Sequence, residues 1–207
     1  MPSSDGRKPP ITGGVVRLRA QNPPEIAVSG LWGPTSILFN PDGELIVLEE
    51  PTDSIYRYSA LGERKPLLEG FAQVDQAARN NNGDIFVIEK APPPNLKIQK
   101  KDGFISTWEH PPQGTGDWSK MTADGQGYVY FSDPLASRIQ VYDGSGNLIR
   151  TYDDILPSYM MGISTGGIFL LTQKGNSFAV SRLKLQENLV TFPIDLESRP
   201  ITGFARS

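Results

Sequence analysis

The chain has no cysteine and a single histidine, His110. The first absence rules out disulfides, thiolate metal sites and a cysteine nucleophile, and it suits reducing and oxidising compartments alike. The second leaves no pair of histidines to share acid–base work. Charge of one sign is also lacking: 20 basic residues stand against 23 acidic ones, for a net charge of -3. Without a basic surplus nothing drives sequence-independent binding to nucleic acid or to an anionic membrane. No stretch approaches the roughly 18 apolar residues of a membrane-spanning helix. The opening segment Met1 to Lys8 is charged with no apolar run after it. As it stands the sequence reads as soluble, cytoplasmic by default, or exported if a leader has been removed. A phosphate-cradling glycine loop, a nucleophile elbow and a His-Glu-x-x-His motif are all missing.

What the chain has in quantity is glycine and proline, 21 and 18 of 207 residues, spread at intervals between apolar alternations. That distribution belongs to many short strands joined by tight turns. Four times a turn ending in glycine opens an apolar strand: Gly43-Glu44-Leu45-Ile46-Val47, Gly83-Asp84-Ile85-Phe86-Val87, Gly127-Tyr128-Val129-Tyr130-Phe131 and Gly167-Ile168-Phe169-Leu170-Leu171. A short strand precedes each glycine, so each closes a hairpin whose turn calls for positive φ. A third strand of β-branched and aromatic residues follows (Ile55 to Tyr58, Leu96 to Gln99, Arg138 to Tyr142, Ala179 to Leu183), then a second turn and a fourth strand. Repeats of about 40 residues, each with four antiparallel strands, predict an all-β propeller with four complete blades.

The two ends carry the same pattern. Val15 to Leu18 and Ile26 to Val28 read as third and fourth strands, and Ile201 to Ala205 as a first strand. Their pairing would make a composite fifth blade closed by the two termini and hide edge strands. Arg7 to Thr12 is a poor second strand, because Pro9 and Pro10 remove ladder donors. Residues 1–14 are thus expected to be an N-terminal arm and 15–207 a single propeller domain. If the ring does not close within the chain, a second subunit is expected to cover the open edge.

On the motifs Pro41-Asp42-Gly43-Glu44-Leu45-Ile46-Val47, Asn82-Gly83-Asp84-Ile85-Phe86-Val87 and Gly127-Tyr128-Val129-Tyr130-Phe131-Ser132-Asp133, with Arg138-Ile139-Gln140-Val141-Tyr142-Asp143-Gly144-Ser145-Gly146, the sequence resembles NHL-repeat propellers. It also resembles the related gluconolactonase and senescence-marker-type lactonases. The resemblance implies the propeller fold and two alternatives, a binding platform or a metal-dependent lactonase. That family's metal glutamate directly precedes a Gly-Pro; here Gly33-Pro34 is preceded by Trp32. Where the family has a metal asparagine, this chain offers Tyr159 or Met160. The lactonase ligand set is therefore not carried over.

Six residues beyond each repeat glycine stands a polar residue: Glu49, Glu89, Asp133 and Gln173. Such a column has two readings. It could offer oxygens to calcium or another divalent cation, which collects ligands from several elements, or each carboxylate could cap its own loop by accepting backbone N–H groups. A different candidate is the loop surface. Pro92, Pro93 and Pro94 form one stiff connection, and His110 and Asp117, framed by Trp108 and Trp118, lie on the longest one. Stiff loops lose little entropy on association and aromatic anchors dominate binding energy. The leading expectation is a non-catalytic scaffold that presents this loop face around blades two and three to a protein or small ligand, with no cofactor and no catalytic residue. A metal-dependent lactonase-type hydrolase with a rearranged ligand set, Glu49, Glu89 and Asp133, is the alternative.

Overall fold

The computed structural model describes residues 12–17, 23–39, 44–59, 62–69, 71–90, 95–108, 120–162, 165–174, 177–185 and 189–194. The fold is the expected all-β propeller: four four-stranded antiparallel sheets and a two-stranded partial fifth. The partial blade pairs β1 (Thr12–Arg17) with β2 (Glu25–Trp32). Blade one is β3 (Pro34–Phe39), β4 (Leu45–Glu49), β5 (Ser54–Tyr58) and β6 (Arg64–Leu68). Blade two is β7 (Val74–Arg79), β8 (Ile85–Glu89), β9 (Asn95–Gln99) and β10 (Ile105–Thr107). Blade three is β11 (Lys120–Ala123), β12 (Val129–Asp133), β13 (Arg138–Tyr142) and β14 (Leu148–Tyr152). Blade four is β15 (Pro157–Gly162), β16 (Ile168–Lys174), β17 (Ser177–Leu183) and β18 (Val190–Ile194). The helical residues among those described are one 3₁₀ turn, Glu50–Thr52. The strands fall into two compact units, β1 to β10 and β11 to β18.

Turn chemistry sets the hairpins. In the turns between third and fourth strands, Ser59, Lys100 and Asp143 each accept the N–H of a glycine three residues on, Gly62, Gly103 and Gly146. Each also donates to the carbonyl of the next residue. The glycines have φ of 81°, 89° and 92°, the left-handed position of a type I turn with a bulge, where a Cβ is penalised. Asp124 and Gly127 build the same turn between first and second strands. Partial burial works against the Asp143 charge, but hydrogen bonds from the Asn147 side chain and backbone and from Ser145 N–H outweigh it and hold its carboxyl below the usual range.

Strand pairing corrects one register. Leu45, Ile85, Val129 and Ile168 each open the second strand opposite the last residue of the first, Phe39, Arg79, Ala123 and Gly162. Counting back two residues reaches Gly43, Gly83, Gly127 and, in blade four, Gly166 rather than Gly167. The φ of Gly166, 98°, sits beside those of Gly83 and Gly127, 97° and 93°. Gly167 is a second glycine inserted where its Cβ would collide with the Leu183 carbonyl.

Within each unit the blades pack face to face. The face formed by Ile46, Leu48, Ile55 and Leu68 of blade one packs on Val74, Ala77, Ile85 and Val87 of blade two. In the other unit Tyr130, Ile139 and Val141 of blade three pack on Met160, Ile168, Leu170 and Leu183 of blade four. The first face in each pair is called leading here, the second trailing. The trailing face of blade one, Leu45, Val47 and Tyr58, is covered by Val28 and Leu31 of the partial blade. The C-terminal contribution expected from Ile201 to Ala205 lies outside the described residues.

Candidate functional site

The end of the second strand carries the polar column. Glu49, Glu89 and Asp133 are buried, at 1%, 2% and 5% exposure, so each charge requires a partner. With Gly166 as the fourth reference glycine, the fourth member is Thr172, not Gln173. Thr172 pairs with Pro157 as Glu49 pairs with Pro34 and Glu89 with Val74. Its hydroxyl donates to the Ala179 carbonyl, whereas Gln173 is exposed.

Glu49 Oε2 accepts from Arg64 Nη2 at 2.7 Å. Its Oε1 accepts from the Tyr58 hydroxyl at 3.0 Å and from Trp32 N–H at 3.3 Å. Glu89 Oε1 accepts from Lys97 Nζ at 2.7 Å and from Ala72 N–H at 2.9 Å. Asp133 Oδ2 accepts from Arg138 at 3.0 Å, and its Oδ1 from Ala136 N–H at 3.2 Å. Arg64 lies 3.6 Å from the centre of the Tyr56 ring and Lys97 5.4 Å from that of Phe71, so aromatic faces steady both cations. Burial, with the hydrogen bond to Glu49 second, pushes the Tyr58 hydroxyl up to about 12.

Only Asp133 follows the loop-capping pattern. Glu49 and Glu89 reach the other way, to a backbone N–H 17 residues earlier. There the chain enters the first strand through a residue of positive φ, Gly33 at 47° and Gln73 at 54°. Gly33 and Gln73 carbonyls also accept from Glu50 and Lys90 N–H. Each glutamate therefore fastens the entry of its blade to the end of its second strand. Sequence spacing showed the column but not these donors, which come from loops with no motif of their own.

A divalent cation does not fit this set. Calcium takes about 6–8 oxygens, and each carboxylate here is held by a cation of its own blade and by a backbone N–H. Among the described residues no three of His, Asp and Glu gather into a group able to hold an ion. Trp32, which stands where the lactonase resemblance places a metal glutamate, serves Glu49 through its N–H.

Of the predicted loop face, Pro92, Pro93, Pro94, His110, Asp117 and Trp118 lie outside the described residues. Trp108 is described, and it is buried at 6% exposure. Its N–H donates to the Leu96 carbonyl, which extends the ladder past β10 and sets the ring edge-on to Phe86, 6.1 Å between centroids. In this position Trp108 anchors the start of the long loop.

Sequence reading missed a second feature. A cavity of about 210 Å³ in the second unit is lined by Gln126, Tyr128, Thr165, Gly166, Gly167, Lys184 and Leu185. Asp124 holds one of these lining residues from behind: its Oδ2 accepts from Gly167 N–H at 2.7 Å and from the Tyr130 hydroxyl at 2.9 Å. Burial, then the Asp124 charge, drives the Tyr130 hydroxyl far above its ordinary range. The doublet Gly166-Gly167 was the signal available for it. Its volume falls short of the roughly 300 Å³ at which small-molecule pockets begin.

No protein-family model matches the sequence, and no curated protein matches it. Solved structures do. A streptogramin B lyase is 15% identical with a TM-score of 0.59, over 87% of this chain and 62% of that one. A gluconolactonase from Xanthomonas campestris is 14% identical with a TM-score of 0.58, over 82% and 65%. A chain of the nidogen–laminin complex is 16% identical with a TM-score of 0.62, over 84% and 68%. At these identities the likeness shows the fold alone, that of a β-propeller. The chain spans less than two thirds of the length of the two enzymes it resembles.

Proposed function

We propose that this chain is a non-catalytic β-propeller platform, with the proline-rich segments 91–94 and 109–119 as its contact segments. The observation that supports this is the state of the buried carboxylates. Glu49 and Glu89 tie each strand entry to its blade, and the charges of Glu49, Glu89 and Asp133 are matched by Arg64, Lys97 and Arg138. Carboxylates so paired are poorly suited to bind a metal, to take a proton from water or to give one to a leaving group. The buried Trp108 gives segment 109–119 a fixed root, and a fixed root lowers the ordering cost of a contact made further along.

The test has two parts. Hydrolysis of simple γ- and δ-lactones is expected at background, with and without added calcium or zinc; turnover abolished by chelation would favour the lactonase alternative. Partners captured on the immobilised chain are expected to bind Trp118→Ala at least about 30-fold more weakly, the loss typical of an aromatic anchor. Equal binding by the variant would remove segment 109–119 from the contact surface.

A further inference from the structure

Two columns of residues meet at the end of each blade. The first is the residue just ahead of the second strand, Glu44, Asp84, Tyr128 and Gly167. The second follows the third-strand residue that pairs with the strand opener (Tyr58, Gln99, Tyr142 and Leu183) and reads Ser59, Lys100, Asp143 and Lys184. In blade two the columns join: Lys100 Nζ donates to Asp84 Oδ2 at 3.3 Å, and Lys101 N–H to its Oδ1 at 3.2 Å. Blade four keeps the lysine and has glycine where the aspartate stands. It cannot carry a carboxylate there. Gly167 has φ of 84°, and a Cβ on it would strike the Leu183 carbonyl and the Lys184 stem.

The cavity of about 210 Å³ lies at this place, with Gly167 and Lys184 on its lining beside Gln126, Tyr128 and Thr165. Its walls are fixed from outside. Besides Gly167, the buried Asp124 holds two more of them, its Oδ1 accepting from Gln126 N–H at 2.9 Å and from Tyr128 N–H at 3.0 Å. On the opposite wall the carbonyls of Lys184 and Leu185 accept from the Tyr152 hydroxyl at 3.2 and 3.3 Å. Walls already ordered lose little freedom when a ligand enters.

We propose that this cavity binds a small free carboxylic acid as its monoanion, the carboxylate lying beside Lys184 as Asp84 lies beside Lys100. Charge selects this class first: Lys184 is the one charged residue on the lining, which matches a single negative charge. Phosphate suits the site less. It is held by cradles of backbone N–H groups, and those of Gln126, Tyr128 and Gly167 are spent on Asp124, whose own buried charge opposes a second negative one. Size comes next. The cavity equals about seven water molecules at roughly 30 Å³ each, room for an acid of about seven non-hydrogen atoms. The Gln126 amide and the Tyr128 and Thr165 hydroxyls offer hydrogen bonds to polar substituents on such an acid.

Titration of the full chain with glycerate, an acid of this size, tests the proposal through the backbone amide NMR signals of Gly166 and Gly167. Saturable shifts with a Kd at or below about 1 mM are expected. Lys184→Met should weaken binding at least about tenfold, since a charge-assisted hydrogen bond is lost. Thr165→Val, at an exposed position, should weaken it about threefold and serves as a second variant should Lys184→Met melt early. Lys65→Met, which removes an exposed lysine of the other unit, should bind as the wild type does. Glycerol and inorganic phosphate should each bind at least about tenfold more weakly than glycerate. No saturable shift up to about 10 mM would overturn the proposal, as would unchanged affinity in folded Lys184→Met or in Thr165→Val. Phosphate or glycerol binding as tightly as glycerate would overturn it too. Tighter binding of a glutamate blocked at both ends would overturn the free acid as occupant and assign the cavity to a partner's acidic side chain.

Discussion

Glu49 shows how much one buried side chain is asked to do. It receives a guanidinium, a phenol and a backbone N–H in one place. Glu49→Ala would strand all three donors and should cost about 3 kcal/mol in urea denaturation. Glu44→Ala, which removes an exposed 3.5 Å pair with Arg57, should cost less than about 0.5 kcal/mol. Equal losses would contradict the fastening role. The same site carries a pH signature. The Tyr58 hydroxyl titrates near 12 in the folded protein against an ordinary 10.0, first because it is buried and then because of Glu49. The folded state therefore holds that proton more tightly than the unfolded chain. The stabilisation is complete below pH 10 and disappears as pH rises through 12. Tyr58→Phe should flatten the wild-type loss of stability across that window; an unchanged alkaline limb would show that this phenol is not raised by folding.

Among the elements, β11 and β15 approach each other closely at Gly162. Gly162 N–H donates to Thr122 Oγ1 at 3.0 Å, and a Cβ at Gly162 would run into the Ala123 carbonyl. Gly162→Ala should therefore destabilise by about 2–4 kcal/mol. At Gly144 the nearest atom to an added Cβ is the Gly127 carbonyl oxygen at 3.8 Å, an ordinary contact, and Gly144→Ala should cost less than about 1 kcal/mol. Thermal melts of the two variants decide the point. At this scale the sequence was a good guide where a turn residue and an apolar alternation coincide, as at Gly83 and Gly127. The strands of all four blades and of the partial fifth could be read that way. It misled at Gly166-Gly167, because two adjacent glycines both satisfy the turn and only pairing with Gly162 and Leu183 separates them. The fourth column position moved from Gln173 to Thr172 for that reason alone. The Trp32 and Ala72 donors were unreadable for a different reason: a backbone N–H carries no side-chain signature. Trp108 was legible as a loop boundary that either faces a partner or packs between blades, and one extra rung opposite Leu96 turns it inward.

For the whole molecule, the fold is that of propellers whose solved members include lyases, gluconolactonases and a chain of the nidogen–laminin complex. Fold alone does not separate these roles. The proposed platform role rests on the column of carboxylates inside the blades. In a hydrolase of the lactonase type, oxygens must be free to hold a cation that polarises the carbonyl and binds the attacking water. Here Arg64, Lys97 and Arg138 take that place, each within its own blade. Elemental analysis of the purified chain, after equilibration with calcium and zinc and removal of free ions, tests this most directly. The account expects less than about 0.1 ion per chain, because each candidate carboxylate is already paired with a cation of its own blade. One ion per chain, lost in Glu49→Gln, Glu89→Gln or Asp133→Asn, would contradict it and make the metal-dependent hydrolase the better reading.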